Sequence, residues 1–433
     1  MTSIMLRVLL ALSIAVAASA QDWPQWRGPL GNGVNPEARG LPVTWSETEN
    51  VQWKLALPSW AAATPIVSGD TVFVTSAEAG SVGHAGSGGG AADKERLLLL
   101  AVDRETGKIR WSRVMGVGNR LGRKQNMASP SPVTDGTTVW TTTGNGELAA
   151  WDFSGKELWR RDLQKDYGKF GIQFGYGSSP LLIEGKLYMQ VLHGMYTDDP
   201  SYVLALDGKT GKTLWRTERP TDAQRETPDS YSTPTRIEVG GRRVILTAGA
   251  GYLTGHDAET GRELWRAGGL NPQNAGNYRT IASALVVDDL VLTPSRRRPF
   301  IAFRVDEKAE RVWSTEYGPD VPTPVSDGER LYIIDDKGIV LCLRVKDGSV
   351  VYDRTRIEPG TYSASPILAD GKIYAISEDG STTVLAAGGE FRTLAVNKLD
   401  GYTLASPAAA GDQLFIRTAE TLYCLSTRGG RAD

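Results

Sequence analysis

One pattern recurs along nearly the whole chain and restricts its fold more than any other feature. It opens on Ser or Thr followed by Pro and usually ends on Trp. The openings begin at Thr64-Pro65, Ser129-Pro130, Ser179-Pro180, Thr233-Pro234, Ser283-Ala284 (where Pro is lost), Thr323-Pro324, Ser365-Pro366 and Ser406-Pro407, which makes eight. Each opening leads into a short apolar stretch, a glycine turn, a β-branched or aromatic strand, a loop and a third alternating strand. In the second unit these are Val133, Asp135-Gly136, Thr138-Val139-Trp140-Thr141, Gly144-Asn145-Gly146, Leu148 to Trp151 and Glu157-Leu158-Trp159. Asp-Gly and Asn-Gly between such runs signal antiparallel hairpins, and no helical periodicity is sustained. Four short strands in units of about 40 to 50 residues predict an all-β, eight-bladed β-propeller with four-stranded antiparallel blades.

The two ends of the chain bear on how such a ring closes. From Pro407 to Ser426 the eighth unit has room for about three strands at about 5 to 6 residues each. Its fourth strand is missing there, whereas Asn50 to Leu57, with Trp53, reads as an orphan outer strand. Pairing the two would close the ring with an N-terminal strand and remove two exposed sheet edges. The expected organisation is a leader over residues 1–20, an extension over 21–49 that lies over the rim, and the propeller over 50–430.

Arg7, the apolar run Val8 to Ala17 and then Ala18-Ser19-Ala20 match the three regions of a secretory signal peptide. The run is about half the roughly 20 apolar residues of a membrane span. No Cys lies near the cleavage site to carry a lipid. The mature product is expected to be a monomer in the periplasm or outside the cell, with no transmembrane segment. The chain has 48 Lys+Arg against 50 Asp+Glu, a formal charge of -2, which lacks the basic excess that nucleic-acid binding calls for. Only Cys342 and Cys424 are present, both in apolar strand-like stretches, where Cys acts as a small buried hydrophobe. The core, rather than a disulfide framework, must hold the fold, and a bridge between the two is the lesser alternative.

Ala101-Val102-Asp103-Arg104-Glu105-Thr106-Gly107-Lys108-Ile109-Arg110-Trp111 and Ala205-Leu206-Asp207-Gly208-Lys209-Thr210-Gly211-Lys212-Thr213-Leu214-Trp215 resemble the tryptophan-docking repeat of the pyrroloquinoline quinone (PQQ) repeat family. Gly255 to Trp265 nearly repeats them. Ala150 to Trp159 is one residue short, Phe303 to Trp313 keeps little but the Trp, Cys342 to Tyr352 ends in Tyr, and the seventh unit has Leu394 there. The resemblance implies an eight-bladed propeller. Glycines such as Gly107 and Gly211 suit a turn with positive φ, and each Trp offers a flat surface to a neighbouring blade. Trp53, Trp111, Trp159, Trp215, Trp265 and Trp313 are therefore assigned to structural docking rather than to stacking on a sugar or quinone. Trp23-Pro24-Gln25-Trp26-Arg27-Gly28-Pro29 looks like the opening of secreted members of the family and is expected to dock the extension on the propeller.

Dehydrogenases of the resembled family carry PQQ and calcium in the axial funnel, with adjacent cysteines beside the quinone, a Trp beneath it and an Asp base nearby. This chain has no Cys-Cys, so no catalytic residue carries over. Asp198-Asp199 and Asp335-Asp336 are adjacent pairs that read as loops or turns, not the alternating carboxylates of a calcium loop, and no metal site is expected. With only His84, His193 and His256, and no HExxH, GxSxG or CxxC, hydrolytic chemistry lacks its parts. Gly83 to Gly90 lacks the Lys-Ser/Thr of a phosphate loop and reads as a hairpin insertion, and His256 reads as part of a strand.

The loops before each Ser/Thr-Pro converge on one face around the axis, and they repeatedly carry aromatics: Trp60, Tyr176, Tyr231, Tyr278, Tyr362 and Tyr402. With Asn126, Gln173, Asp229, Asn277, Arg279 and Asp400 nearby, they would form a funnel that binds a ligand or peptide. The competing expectation is that these rings only plug the channel. Arg296-Arg297-Arg298-Pro299 either engages an anionic partner or is a solvated hairpin tip. The leading expectation is a non-catalytic binding or scaffold propeller, with a protein or small-molecule ligand and no cofactor, similar to the barrel-assembly lipoprotein BamB in blade number and compactness. The alternative is a PQQ-dependent alcohol or sugar dehydrogenase using PQQ with calcium.

Overall fold

A computed structural model describes residues 22–78, 90–122 and 124–429. The leader and residues 83–89 of the glycine-rich stretch, His84 among them, lie outside the described residues. Eight sheets are present, and every one contains a four-stranded antiparallel meander. Blades 1 to 8 start on the inner strands Ile66–Ser68, Val133–Thr134, Leu181–Ile183, Thr235–Val239, Leu285–Val287, Val325–Ser326, Ile367–Ala369 and Ala408–Ala410. The inner strand of blade 8 touches that of blade 1, so the sheets form a closed ring. Helix is confined, among the described residues, to Leu163–Tyr167 and the single turn Thr427–Gly429.

The ring closes as the ends of the sequence predict. Val51–Ala56 is the outer strand of blade 8, pairing antiparallel with Thr421–Leu425 through Val51↔Leu425 and Trp53↔Cys424. Cys342 and Cys424 are buried, unbridged thiols in blades 6 and 8.

The Ser/Thr of the repeat has a function that only the three-dimensional arrangement reveals. Around the axis seven of the eight donate their backbone N–H to the hydroxyl of their counterpart in the next blade, and the chain of links stops at the seam, where Thr64 Oγ1 has no partner among the described residues. The links run Thr64 to Ser131 (3.0 Å), Ser131 to Ser179 (3.0 Å), Ser179 to Thr233 (3.1 Å) and Thr233 to Ser283 (2.9 Å). They continue from Ser283 to Thr323 (2.9 Å), Thr323 to Ser365 (2.9 Å) and Ser365 to Ser406 (3.0 Å). Inner strands too short to pair with one another thus have their buried N–H groups satisfied. The second unit is therefore in register from Ser131-Pro132, not from Ser129-Pro130. Two Ser-Pro pairs stand in tandem there, and only the second supplies the ring hydroxyl.

The outer strands connect the blades at the perimeter. The indole Nε1 of Trp53 donates to Arg104 O (2.8 Å), Trp111 to Phe153 O (2.9 Å), Trp159 to Gly208 O (2.8 Å), Trp215 to Ala258 O (2.9 Å) and Trp313 to Val345 O (2.8 Å), each in the following blade. The same indole covers the glycine of that turn. A Cβ on Gly211, at φ +71°, would lie 2.7 Å from Trp159, so glycine is required there by both conformation and space. Asp207 holds the turn by accepting from the Thr210 N–H (2.7 Å) and hydroxyl (2.6 Å). The turn of blade 5, Asp306-Glu307-Lys308, has no glycine, and the Trp265 Nε1, which lies over Gly255 of its own blade, is buried without a partner.

Residues 22–49 do more than lie over the rim, because they cross the axis on one face. Trp23 bridges Val67 of blade 1, Pro24 O accepts from Thr134 N of blade 2 (2.9 Å), and Asn35 Nδ2 donates to Ala409 O of blade 8 (2.9 Å). Val34–Asn35 adds a parallel fifth strand to blade 7. Arg27, only 2% exposed, donates to Pro366 O (2.6 Å), Asn32 O (2.9 Å) and Pro324 O (2.5 Å).

Candidate functional site: the axial funnel

The backbone entering each blade alternates like any extended segment, so residues two apart share a face. The ring of Ser and Thr forms one tier of the axial channel. The residues two positions earlier form the tier above: Ala62, Ser129, Gly177, Tyr231, Ile281, Val321, Ser363 and Leu404, with Trp26 of the extension also lining the channel. This upper tier continues into a wider funnel of about 320 Å³, lined further by Lys124, Gln125, Phe174, Arg279, Arg297, Asp320, Asp336 and Thr361.

Alternation also decides where the expected aromatics go. Tyr231 stands two residues before its Thr-Pro and lines the funnel, its hydroxyl accepting from Phe174 N (3.2 Å). Arg279 lines it as well. Tyr176 and Tyr362 stand three residues before and face into the blades. Tyr176 is fully buried and donates to Gln190 O (3.1 Å), while Tyr362 donates to Glu358 O (2.7 Å). Trp60 is buried against Leu121, and Asn126 is a buried brace that donates to Trp60 O (2.8 Å). Tyr278 lines a neighbouring cleft with Arg296, Arg297 and Arg298. Tyr402 stands behind the wall, donating to Glu378 Oε2 (2.6 Å).

The sequence reading missed the segment that crosses the mouth. After the long outer hairpin of blade 1, Gly90–Asp103 with Ile109–Leu121, the chain turns through Gly122 and Gln125 and runs against blade 3. Gln125 donates to Phe174 O (3.1 Å) and Gly175 O (2.7 Å). A Cβ on Gly122 would fall 2.1 Å from Phe174 O, so only glycine permits this approach. Lys124 then reaches blade 7, where it pairs with Glu378 and contacts Ser363 Oγ (3.3 Å). No periodicity marks this strap, because its partners lie 239 and 254 residues away.

Most charges in the funnel wall are neutralised from within the protein. Arg279 donates to Glu226 (3.0 Å), lies 4.0 Å from Asp320 and packs over the Phe174 ring. Arg296 lies 3.7 Å from Asp320. Asp336 accepts from the N–H groups of Asp320 (2.9 Å) and Val321 (3.1 Å), although burial still raises its pKa. Among the described residues no group of three or more His, Cys, Asp and Glu could hold a metal ion. Asp320 Oδ2 faces Arg279 and Arg296, while its Oδ1 is buried without a hydrogen-bond partner.

Behind the wall, Asp229 accepts from Gln173 N (2.8 Å), Gly194 N (3.0 Å) and Met195 N (3.1 Å), and burial lifts its pKa from 3.8 to about 6. The folded state thus binds the proton more tightly than the unfolded chain. Stability falls as pH rises through that interval and levels off above about 6. Asp229→Asn is expected to flatten this part of the curve in denaturant titrations between about pH 4 and 7. An unchanged slope would show that other groups set it.

Fold and channel together define the class: an eight-bladed propeller with inter-blade indoles, a hydroxyl-lined axis and one face crossed by its own N-terminal segment. The chain belongs to the PQQ-like repeat family described as outer membrane protein assembly factor BamB, whose profile matches residues 94–354. BamB from Moraxella catarrhalis has the same fold, with a TM-score of 0.60 at 13% identity over 86% of this chain and 98% of that one. The quinohemoprotein alcohol dehydrogenase of Comamonas testosteroni superposes with a TM-score of 0.70 at 12% identity, over 97% of this chain and 82% of that one. In sequence, quinohemoprotein alcohol dehydrogenase ADH-IIG of Pseudomonas putida is 29% identical over 197 residues, which is 41% of this chain. The match spans 26% of that enzyme's length.

Proposed function

We propose that this protein is a non-catalytic binding or scaffold propeller, exported by its leader to the periplasm or exterior, that engages a protein partner or ligand through the funnel and its rim loops. The observation that carries the reading is the funnel itself. It is a concavity of about 320 Å³ built from all eight blades, with Trp26 of the N-terminal segment lining the channel beneath it. Concavities of this size suit a small ligand or a single inserted side chain. The perimeter indoles act in this reading as docking points that keep the blades rigid around the mouth. No helix among the described residues is long and apolar enough to cross a membrane.

The test is capture from envelope extract by the immobilised protein, compared with an Arg297→Ala variant. The Arg297 side chain is exposed and lines the funnel, so the melting curve should be retained while capture falls about tenfold or more. The competing dehydrogenase reading is examined by adding PQQ and calcium to the purified protein. A quinone absorbance that survives desalting, together with dye-coupled oxidation of an alcohol, would overturn the scaffold reading.

A further inference from the structure

The ring hydroxyls have a proton left over. A Ser or Thr hydroxyl carries one donor and two acceptor lone pairs. From Ser131 round to Ser406 each ring oxygen accepts the N–H of the preceding blade. None of these seven O–H groups donates to an acceptor among the described residues. Thr64 Oγ1, in the same tier, has no partner in either role. Most of these donors border a channel of about 140 Å³, wide enough for an ion with a few waters, since a water occupies about 30 Å³.

The charge beneath the ring has a single sign. The Arg27 guanidinium donates to the carbonyls of Pro324 and Pro366, the residues that follow ring members Thr323 and Ser365. Its Nε has no partner. Burial alone moves its pKa, down to about 9, with no carboxylate contributing, so it stays charged at neutral pH. The carboxylates Asp320 and Asp336 line the funnel above, and no ionisable carboxylate lines the channel itself.

Unspent hydroxyl donors above a buried cation that no carboxylate compensates favour negative charge. We propose that the axial channel binds a small anion, a halide or a carboxylate group, held by the ring hydroxyls with Arg27 below it. This site is separate from partner capture at the mouth and is filled whether or not a partner is present.

Crystals of the partner-free protein soaked in sodium bromide test it directly. An anomalous peak is expected on the axis, within hydrogen-bond distance of at least two ring hydroxyls, and sodium formate added to the soak should displace it. In solution, the melting temperature should rise with bromide or formate at constant ionic strength, but not with an anion too bulky for the channel. Thr233→Val/Thr323→Val should lower bromide occupancy at least twofold. Should that variant fail to fold, the wild-type diffraction and melting data decide. Density without anomalous signal, meaning water alone, would refute the proposal, and so would a bromide peak that formate leaves in place.

Discussion

Trp53→Ala is expected to lower the free energy of unfolding by about 3–5 kcal/mol, within the range for truncating a large buried aromatic. Trp53 is 8% exposed, packs against Phe415 of its own blade and covers Gly107 of blade 1, with its Nε1 on Arg104 O. It therefore couples the last-formed seam of the ring to the first blade. Trp265→Ala provides the internal comparison, since Trp265 is as buried but leaves its Nε1 unpartnered. Its loss should be smaller by about 1 kcal/mol, the usual net contribution of one hydrogen bond. Urea denaturation read as a shift in midpoint at constant slope measures both. Equal losses would mean that the indole hydrogen bonds contribute nothing beyond packing.

A loss of similar size is expected for Arg279→Ala, for a different reason. Its partner Glu226 has a side chain only 13% exposed, so the substitution leaves that carboxylate without its cation, whereas Asp320, 4.0 Å from Arg279, keeps Arg296 at 3.7 Å. Removing one member of a buried ion pair costs about 3–5 kcal/mol, mostly because of the charge left behind. Glu226→Gln combined with Arg279→Ala should therefore recover part of that loss. Strictly additive effects would show that the pair is not coupled and that Arg279 acts through its packing on Phe174.

Blade number, strand count and ring closure were legible in the sequence because each depends on a repeat. The Ser/Thr-Pro openings, the glycine turns and the orphan strand around Trp53 are local patterns with one geometric solution. The register of the second blade was not legible, since Ser129-Pro130 and Ser131-Pro132 are chemically equivalent until a hydroxyl has to meet Thr64 N. The funnel lining was read only in part. Tyr231 and Tyr176 look alike in their loops, but they stand two and three residues before the opening, and strand alternation sends one to the axis and the other into the blade. Arg279 was found because it lay beside an aromatic. Lys124 was missed because the pairing that places it on the axis depends on Glu378, which no spacing rule connects to it. The route of the N-terminal segment across the axis was equally hidden, for its hydrogen bonds go to backbone carbonyls that carry no side-chain signature.

The seam of blade 8 has a consequence for how the molecule comes into being. Gln52 and Cys424 belong to neighbouring strands yet lie 372 residues apart in the chain. During vectorial synthesis, the segment around Gln52 emerges early and has no mate until almost everything else has followed. Until then it is an unpaired strand of the kind that invites wrong partners. Chains halted before Leu425 should therefore accumulate as targets for chaperones and proteases rather than as shortened rings.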